Sequence, residues 1–413
     1  MPTIQESIPA ATTAVRTEEC APEDVRARRI RRTALALAPG VLYLAVREFG
    51  VLVLWLTGRV ADLDLVTTLT TWDGQWYLGL AAGGYANAPA DLLDAYGAQS
   101  AETPLAFFPG YPTVVRWVGQ VPGLTLVDSA LLVSTVFGIL AAYALVRLGR
   151  IVRGGSDRAG YVLVALFAAS PMGVVLSMAY SESMFCALAA WTLVFLLERR
   201  WLWAGACCAL AGLVRPTAAA LVLAVAVAAL VYVYRARGNV RTRTCAIVGV
   251  LVAPTGLLGY LSWAGDWIRP QADWLDRMAS WTELQENGWG SHFDGGIATL
   301  GFVRDTLSEP NWQDGAAIAV VAGAVPLLVW AFRRRLEWPL LAYTAGMLVM
   351  TLGSAGLMTS KPRLLLPAFT LLVPPAMALA KRRTATLAVV LACVVVASAW
   401  FGACSLVFWE NAI

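Results

Sequence analysis

The sequence predicts an all-α, polytopic membrane protein of about eleven transmembrane helices, with a large first extracytoplasmic loop that carries interfacial or re-entrant helices. Three observations predict it. Composition comes first: 59% of the 413 residues are hydrophobic and only 14% charged, against soluble averages of about 45–50% and about 25%. Apolar runs near the length a span requires, about 20 residues, recur along the whole chain. Basic clusters recur between those runs with a spacing that fits a single orientation. Length therefore sets a number of spans and not a number of globular domains. The net charge of +4 is small, its placement says more than its size, and no nucleic-acid partner is expected. The seven cysteines and the single histidine show no metal-ligand spacing.

Residues 1–25 are rich in Thr, Ala, Pro and Glu and hold no apolar core of a cleavable signal, so they read as a disordered tail. Arg26, Arg28, Arg29, Arg31 and Arg32 follow directly. Cationic flanks stay cytoplasmic, which makes 1–32 a cytoplasmic tail and 33–413 one transmembrane domain. Spans are expected over 34–57, 125–147, 159–179, 182–197, 201–214, 216–234, 244–263, 315–332, 337–357, 363–380 and 384–408. The clusters at Arg147–Arg158, Arg199–Arg200, Arg235–Arg243, Arg333–Arg335 and Lys381–Arg383 then all fall on the cytoplasmic side. A single missed span would invert every later cluster. The other side receives the 58–123 loop, Tyr180-Ser181-Glu182-Ser183, the Arg215-Pro216-Thr217 break, the 264–314 loop and Ser360-Lys361-Pro362-Arg363. Their convergence on one face predicts a single site at that membrane surface. No internal repeat is visible, unlike the many transporters built from paired halves.

Within the first loop, Trp72-Asp73-Gly74-Gln75-Trp76-Tyr77 crowds a carboxylate, an amide and three aromatic rings into six residues. Asp73 is either a general base for a hydroxyl or the cap of an interfacial helix beginning at Gly74. The aromatics either meet substrate or form an interface belt. Glu182, at the boundary between two apolar runs, is either part of a site or a carboxylate favoured by a helix N-terminus. Arg215 splits an apolar run of more than thirty residues. A lone cation on the outer side runs against the orientation rule, which favours anion binding over a snorkelling end charge. Lys361 and Arg363 share the anomaly, and with Arg215 they are the candidates for a phosphate clamp. Arg116 reads instead as a headgroup contact. His292 lies in a loop with Trp281, Gln285 and Trp289, where it either binds a sugar or phosphate or serves no site.

Together these motifs resemble a known family. Trp72, Asp73, Trp76, Tyr77, Leu78, Ala81 and Gly84-Tyr85 come first, then Ala106-Phe107-Phe108-Pro109 with Tyr111-Pro112, then Tyr180-Ser181-Glu182-Ser183 with Phe185, then Arg215. In order and spacing this is similar to the PIG-V family, which comprises GPI mannosyltransferase II and its bacterial homologues, within the GT-C polyprenyl-phosphate-sugar glycosyltransferases. The likeness covers roughly 34–235, with weaker echoes at Trp289-Gly290 and Lys361–Arg363. Two positions depart: Arg215 is followed by Pro-Thr-Ala instead of Ser-Asn-Gly, and Gly110 stands where a bulky aliphatic is common.

The resemblance implies a GT-C-like fold and an inverting transfer of mannose. The donor would be polyprenyl-phosphate-mannose, the acceptor a lipid or glycan, and the face extracytoplasmic. It makes Asp73 the base and Arg215, Lys361 and Arg363 the phosphate ligands. Trp72, Gln75, Trp76, Tyr77, Glu102, Phe108, Tyr111, Tyr180, Glu182, Gln285, Trp289 and His292 would line the substrate. Glu182 and Glu102 would orient sugars or a divalent cation. Two rival readings are a flippase of lipid-linked sugars and a silent subunit of a glycosylation complex. The flippase predicts charges at mid-depth, whereas these gather near the outer ends of the helices.

Overall fold

The computed structural model describes residues 22–235 and 240–409, and among them the chain is helical without a strand; one isolated antiparallel bridge joins Phe293 and Ser354. Two units divide the chain. The first, in its described part 22–38, is the opening stretch of α1 (Pro22–Val60). Residues 22–32 of the expected tail fall within α1, and 1–21 lie outside the described residues.

The second unit holds every other element. Short helices follow α1: α2 (Leu65–Leu69), α3 (Asp73–Gly83) and α4 (Gly110–Val118). Next come α5 (Leu126–Ile151), α6 (Asp157–Ala168), α7 (Glu182–Leu197), α8 (Trp201–Gly212) and α9 (Ala218–Arg235). The remainder are α10 (Val240–Val252), α11 (Thr255–Ile268), α12 (Trp274–Trp289), α13 (Ile297–Ser308), α14 (Trp312–Arg333), α15 (Trp338–Leu352), α16 (Lys361–Leu364), α17 (Val373–Leu379) and α18 (Thr384–Phe408). Caps start several of them. Thr125 and Asp128 exchange hydrogen bonds in a reciprocal box at α5, satisfying donors the first turn would otherwise leave open.

Six helical stretches are long and apolar enough to cross a membrane: Arg32–Val60, Leu126–Ile151, Ala218–Arg235, Val240–Ile268, Trp312–Arg333 and Thr384–Phe408. The bent pair Met358–Leu364 and Leu366–Leu379, angled by 58°, would make a seventh. Glu182–Leu197, Trp201–Gly212 and Trp338–Leu352 are apolar but shorter. The protein is therefore a multi-pass membrane protein whose helices are more broken than apolar runs suggest. Proline is the main reason, since it removes a donor and disfavours helix in the residue before it. The run expected over 159–179 ends as helix at Ala168, just before Ser170-Pro171, and becomes a 3₁₀ turn over Gly173–Ser177. Pro362, Pro367, Pro374 and Pro375 cut 363–380 into three short pieces.

The core is a stack of close helix contacts through small residues, the usual device where lipid offers no hydrophobic drive. α5 packs on α6 and α7, and α8 on α7, α10 and α11. At the α5–α6 crossing a Cβ on Gly149 would lie 2.4 Å from the Gly160 Cα, so only glycine permits that approach. This packing places the N-terminal end of α7, the break between α8 and α9, and α16 within reach of α3.

Candidate functional site

The site begins with a strained turn. Trp72 adopts φ 52° and ψ −119°, a region that favours glycine. The Gly74 N–H donates to the Thr71 carbonyl, closing the turn over Trp72 and Asp73. Such a conformation costs on the order of 1–3 kcal/mol and persists only where its surroundings impose it. Here the surroundings are visible. The Ala179 N–H donates to the Leu69 carbonyl, and the Tyr180 hydroxyl donates to the same Thr71 carbonyl at 3.0 Å. Gly74 lies against the Tyr180 ring. The turn is thus docked on the segment leading into α7, and Asp73 becomes the first residue of α3. Trp72 takes the N-cap position of α3 with no side-chain cap bond, and the Asp73 carboxylate makes no capping hydrogen bond among the described residues.

Asp73 Oδ2 instead accepts from Arg363 Nη1 at 2.7 Å. Arg363 Nε approaches Glu182 Oε1 at 3.5 Å, and Arg215 Nη1 reaches the same oxygen at 2.6 Å. That last pair is set by proximity, without the alignment of a hydrogen bond. Arg215 Nη1 also donates to Ser181 Oγ at 3.2 Å, and Ser181 Oγ shares a hydrogen bond of 2.8 Å with the Tyr77 hydroxyl. One polar chain therefore runs from Tyr77 through Ser181, Arg215, Glu182 and Arg363 to Asp73. Burial pushes the Tyr77 phenol well above the usual tyrosine range, so it stays protonated. The four charged groups sum to zero, which is the condition for burying them together.

Exposure grades through this cluster. Side chains are 1% exposed at Glu182, 10% at Arg363, 12% at Arg215 and 24% at Asp73. Asp73 is the most exposed of the four, the guanidiniums are intermediate and Glu182 is the most buried. Asp73 Oδ1 accepts no hydrogen bond among the described residues, so one oxygen of this carboxylate stands free beside two arginines. A divalent cation does not fit here. Each carboxylate already faces a guanidinium, and no group of three or more His, Cys, Asp or Glu side chains gathers among the described residues.

The other expected site residues divide into those near Asp73 and those absorbed by packing. Trp72 is half-buried and Gln75 exposed, both beside Asp73 in the chain. Trp76, Tyr77, Phe108, Tyr111 and Tyr180 are buried. Trp76 stacks on Phe107 at 5.2 Å between centroids, and Phe107 also meets Tyr77 and Trp289 edge-on. The Tyr111 hydroxyl lies within hydrogen-bonding distance of the Ala130 carbonyl and of Ser134 Oγ, and Ser134 Oγ of the Tyr180 carbonyl, two protons shared among these contacts. The rings hold one another and the backbone. Gln285 Nε2 donates to the Ala106 carbonyl at 3.2 Å, and Trp281 Nε1 to that of Leu105 at 2.9 Å, so α12 anchors the Phe107 segment. Gly110 has a reason to depart from an aliphatic: its N–H donates to the Leu213 carbonyl, and a Cβ would lie 2.8 Å from that oxygen.

Three expected residues, Lys361, Glu102 and His292, are not brought into the cluster, and neither is Arg116, which reads in the sequence as a headgroup contact. The Lys361 ammonium is buried and donates to the Thr351 and Ser354 carbonyls at 2.6 and 2.7 Å, serving the end of α15. Arg116 is exposed at the end of α4. Glu102 precedes a 3₁₀ turn at Thr103–Ala106, its side chain in no ion pair among the described residues. His292 Nδ1 lies 3.6 Å from Glu286 Oε1, and its carbonyl accepts from the Ala355 N–H. Ser181, read only as part of its motif, links Tyr77 to Arg215, and one residue escaped the sequence reading altogether. Arg47 is buried in the first long helix and donates to the Ala168 carbonyl and Ser177 Oγ, fixing the segment ahead of Tyr180. A lone arginine within an apolar run was the available signal.

No protein-family model matches the chain, and no curated protein matches it. Among solved structures, it is similar to ArnT from Cupriavidus metallidurans in the apo state, with a TM-score of 0.48 and 17% identity over 76% of this chain and 56% of that one. It is also similar to the Archaeoglobus fulgidus oligosaccharyltransferase in complex with zinc and sulfate, with a TM-score of 0.46 and 14% identity over 91% of this chain and 53% of that one. A further similar structure is the archaeal oligosaccharyltransferase AglB from Archaeoglobus fulgidus with an inhibitory peptide and a dolichol-phosphate, at a TM-score of 0.43 and 13% identity over 87% of this chain and 55% of that one. The chain spans about half the length of these structures.

Proposed function

We propose that this protein is a membrane glycosyltransferase that moves a sugar from a polyprenyl-phosphate donor to a lipid or glycan acceptor, with Asp73 as the base. The observation that carries the reading is the cluster itself: a part-exposed carboxylate paired with the buried Arg363, with the part-buried Arg215 and the buried Glu182 beside it. The chemistry follows from those groups. Asp73 Oδ1 takes the proton of an acceptor hydroxyl, whose oxygen attacks the anomeric carbon. The bond from that carbon to the phosphate oxygen breaks, and the electron pair leaves with the lipid phosphate. Charge developing on the leaving oxygen is met by the N–H groups of Arg215 and Arg363, which suit a phosphate by their forked geometry. Attack opposite the leaving group inverts the anomeric centre.

The sugar as mannose, the polyprenyl-phosphate-mannose donor and the extracytoplasmic face rest on the PIG-V resemblance and the distribution of basic clusters. Trp72, Gln75 and Trp289 supply accessible surface for sugar, while Trp76, Tyr77 and Tyr180 support the base from behind. The test uses purified protein in lipid with radiolabelled polyprenyl-phosphate-mannose and a membrane-lipid extract, comparing wild type with Asp73→Asn. Label reaching a new lipid or glycan with wild type alone is the expected result. Equal transfer by both proteins discards Asp73, and labelled lipid crossing the bilayer without transfer makes the protein a flippase.

A further inference from the structure

We infer that Glu182 is a positioning residue that touches no sugar: it holds the guanidiniums of Arg215 and Arg363 at one spacing and sets the net charge that the leaving phosphate meets. The inference rests on the reading above and deepens it. Three observations carry it. Glu182 is fully buried against Arg215 and Arg363, and Asp73, paired with Arg363, is the most exposed of the four. Both arginines converge on a single one of its oxygens, Oε1, at 2.6 and 3.5 Å. Oε2 and Arg363 Nε are buried and have no hydrogen-bond partner among the described residues, so the carboxylate is held by charge and not by a saturated bond network.

The consequence has a sign. Two arginines on one buried oxygen would repel each other without the carboxylate between them. With Glu182 ionised the cluster is neutral, so a lipid phosphate gains attraction from the near guanidiniums but leaves without a surplus positive charge to retain it. Replacing Glu182 by glutamine keeps size and shape and removes one negative charge. The cluster becomes net positive, holds an anion more tightly and releases it more slowly. A residue that merely bonded sugar would have the opposite effect, weakening the glycosylated ligand alone.

The experiment measures binding of sugar-free polyprenyl phosphate and of polyprenyl-phosphate-mannose to wild type, Glu182→Asp and Glu182→Gln in nanodiscs, with turnover alongside. Glu182→Gln is expected to bind both ligands about tenfold tighter, the order of one unit charge at partly screened range. Its KM for donor should fall together with kcat, and Glu182→Asp should lie between it and wild type. Weaker binding of the mannosylated ligand alone would place Glu182 on the sugar and overturn the inference. Unchanged binding of both would reduce Glu182 to packing and overturn it equally. Failure of wild type to bind either ligand would sink the glycosyltransferase reading itself, and this inference with it. Should Glu182→Gln not fold, Glu182→Gln/Arg215→Gln restores neutrality. That double variant is expected to fold and to bind the lipid phosphate at least tenfold more weakly than wild type; equal binding overturns the inference.

Discussion

Two sets of ion pairs stand at opposite ends of α7. At its N-terminal end Glu182 meets Arg215 and Arg363; just past its C-terminal end Glu198 pairs with Arg147 and Arg200. Sixteen helical residues separate them, about 24 Å at 1.5 Å per residue. The far set, with Arg150 and Asp157 nearby, has arginines close to half exposed. Its arginines are wetted, while Glu198 is 16% exposed with Oε2 buried; pairs with such exposed partners are individually weak, and their sign agrees with the orientation expected from the basic clusters. The near set is buried, converges on shared atoms and balances to zero. Burying such charges is costly unless every one is matched, so a chain gains nothing by placing them there for stability. Function is the economical explanation at one end and topology at the other.

Breaking the near set should therefore have the largest effect. Arg363→Gln leaves Asp73 and Glu182 facing one guanidinium, and we expect a loss of roughly 3–5 kcal/mol in unfolding free energy, read by denaturation in micelles, with no residual transfer. Gly110→Val comes next. A side chain there would drive into the Leu213 carbonyl beside Arg215, costing about 1–3 kcal/mol and raising the KM for donor. Tyr180→Phe separates stability from function. It removes one hydrogen bond to the Thr71 carbonyl, worth about 1 kcal/mol. It also frees the strained turn that aims Asp73, so transfer should slow by about ten- to a hundredfold with little change in melting. Arg147→Gln, at the far end, should cost less than about 1 kcal/mol and leave turnover at the wild-type rate. A large loss of activity there would erase the distinction between the two ends.

Most of the near set was legible in the sequence. Asp73, Glu182, Arg215 and Arg363 stand out because charge in an apolar run demands a reason, and the structure joins all four. What could not be read was direction. Lys361 and Arg363 are two residues apart, a separation that places them on different sides of a helical turn, and Lys361 serves the carbonyls of α15 instead. The aromatics of the first loop are indistinguishable in sequence from open stacking surfaces, yet Trp76 spends its face on Phe107, Tyr77 meets Tyr111, and Phe108 packs on Tyr260. Helix lengths were obscured by proline, since apolarity continues through Pro171 and Pro367 while the backbone does not. The positive φ of Trp72 leaves no mark in sequence at all. It is imposed by Tyr180 and Ala179 from over a hundred residues away.

The contrast between the two ends is tested most directly by locating a bound lipid phosphate. A cryo-electron microscopy structure of the full chain in nanodiscs with polyprenyl phosphate would show which arginines the phosphorus approaches. We expect it within hydrogen-bonding distance of Arg215 and Arg363, with Asp73 beside it. Phosphate density at Arg147, Arg150 or Arg200 instead, with the near set unchanged, would contradict the account.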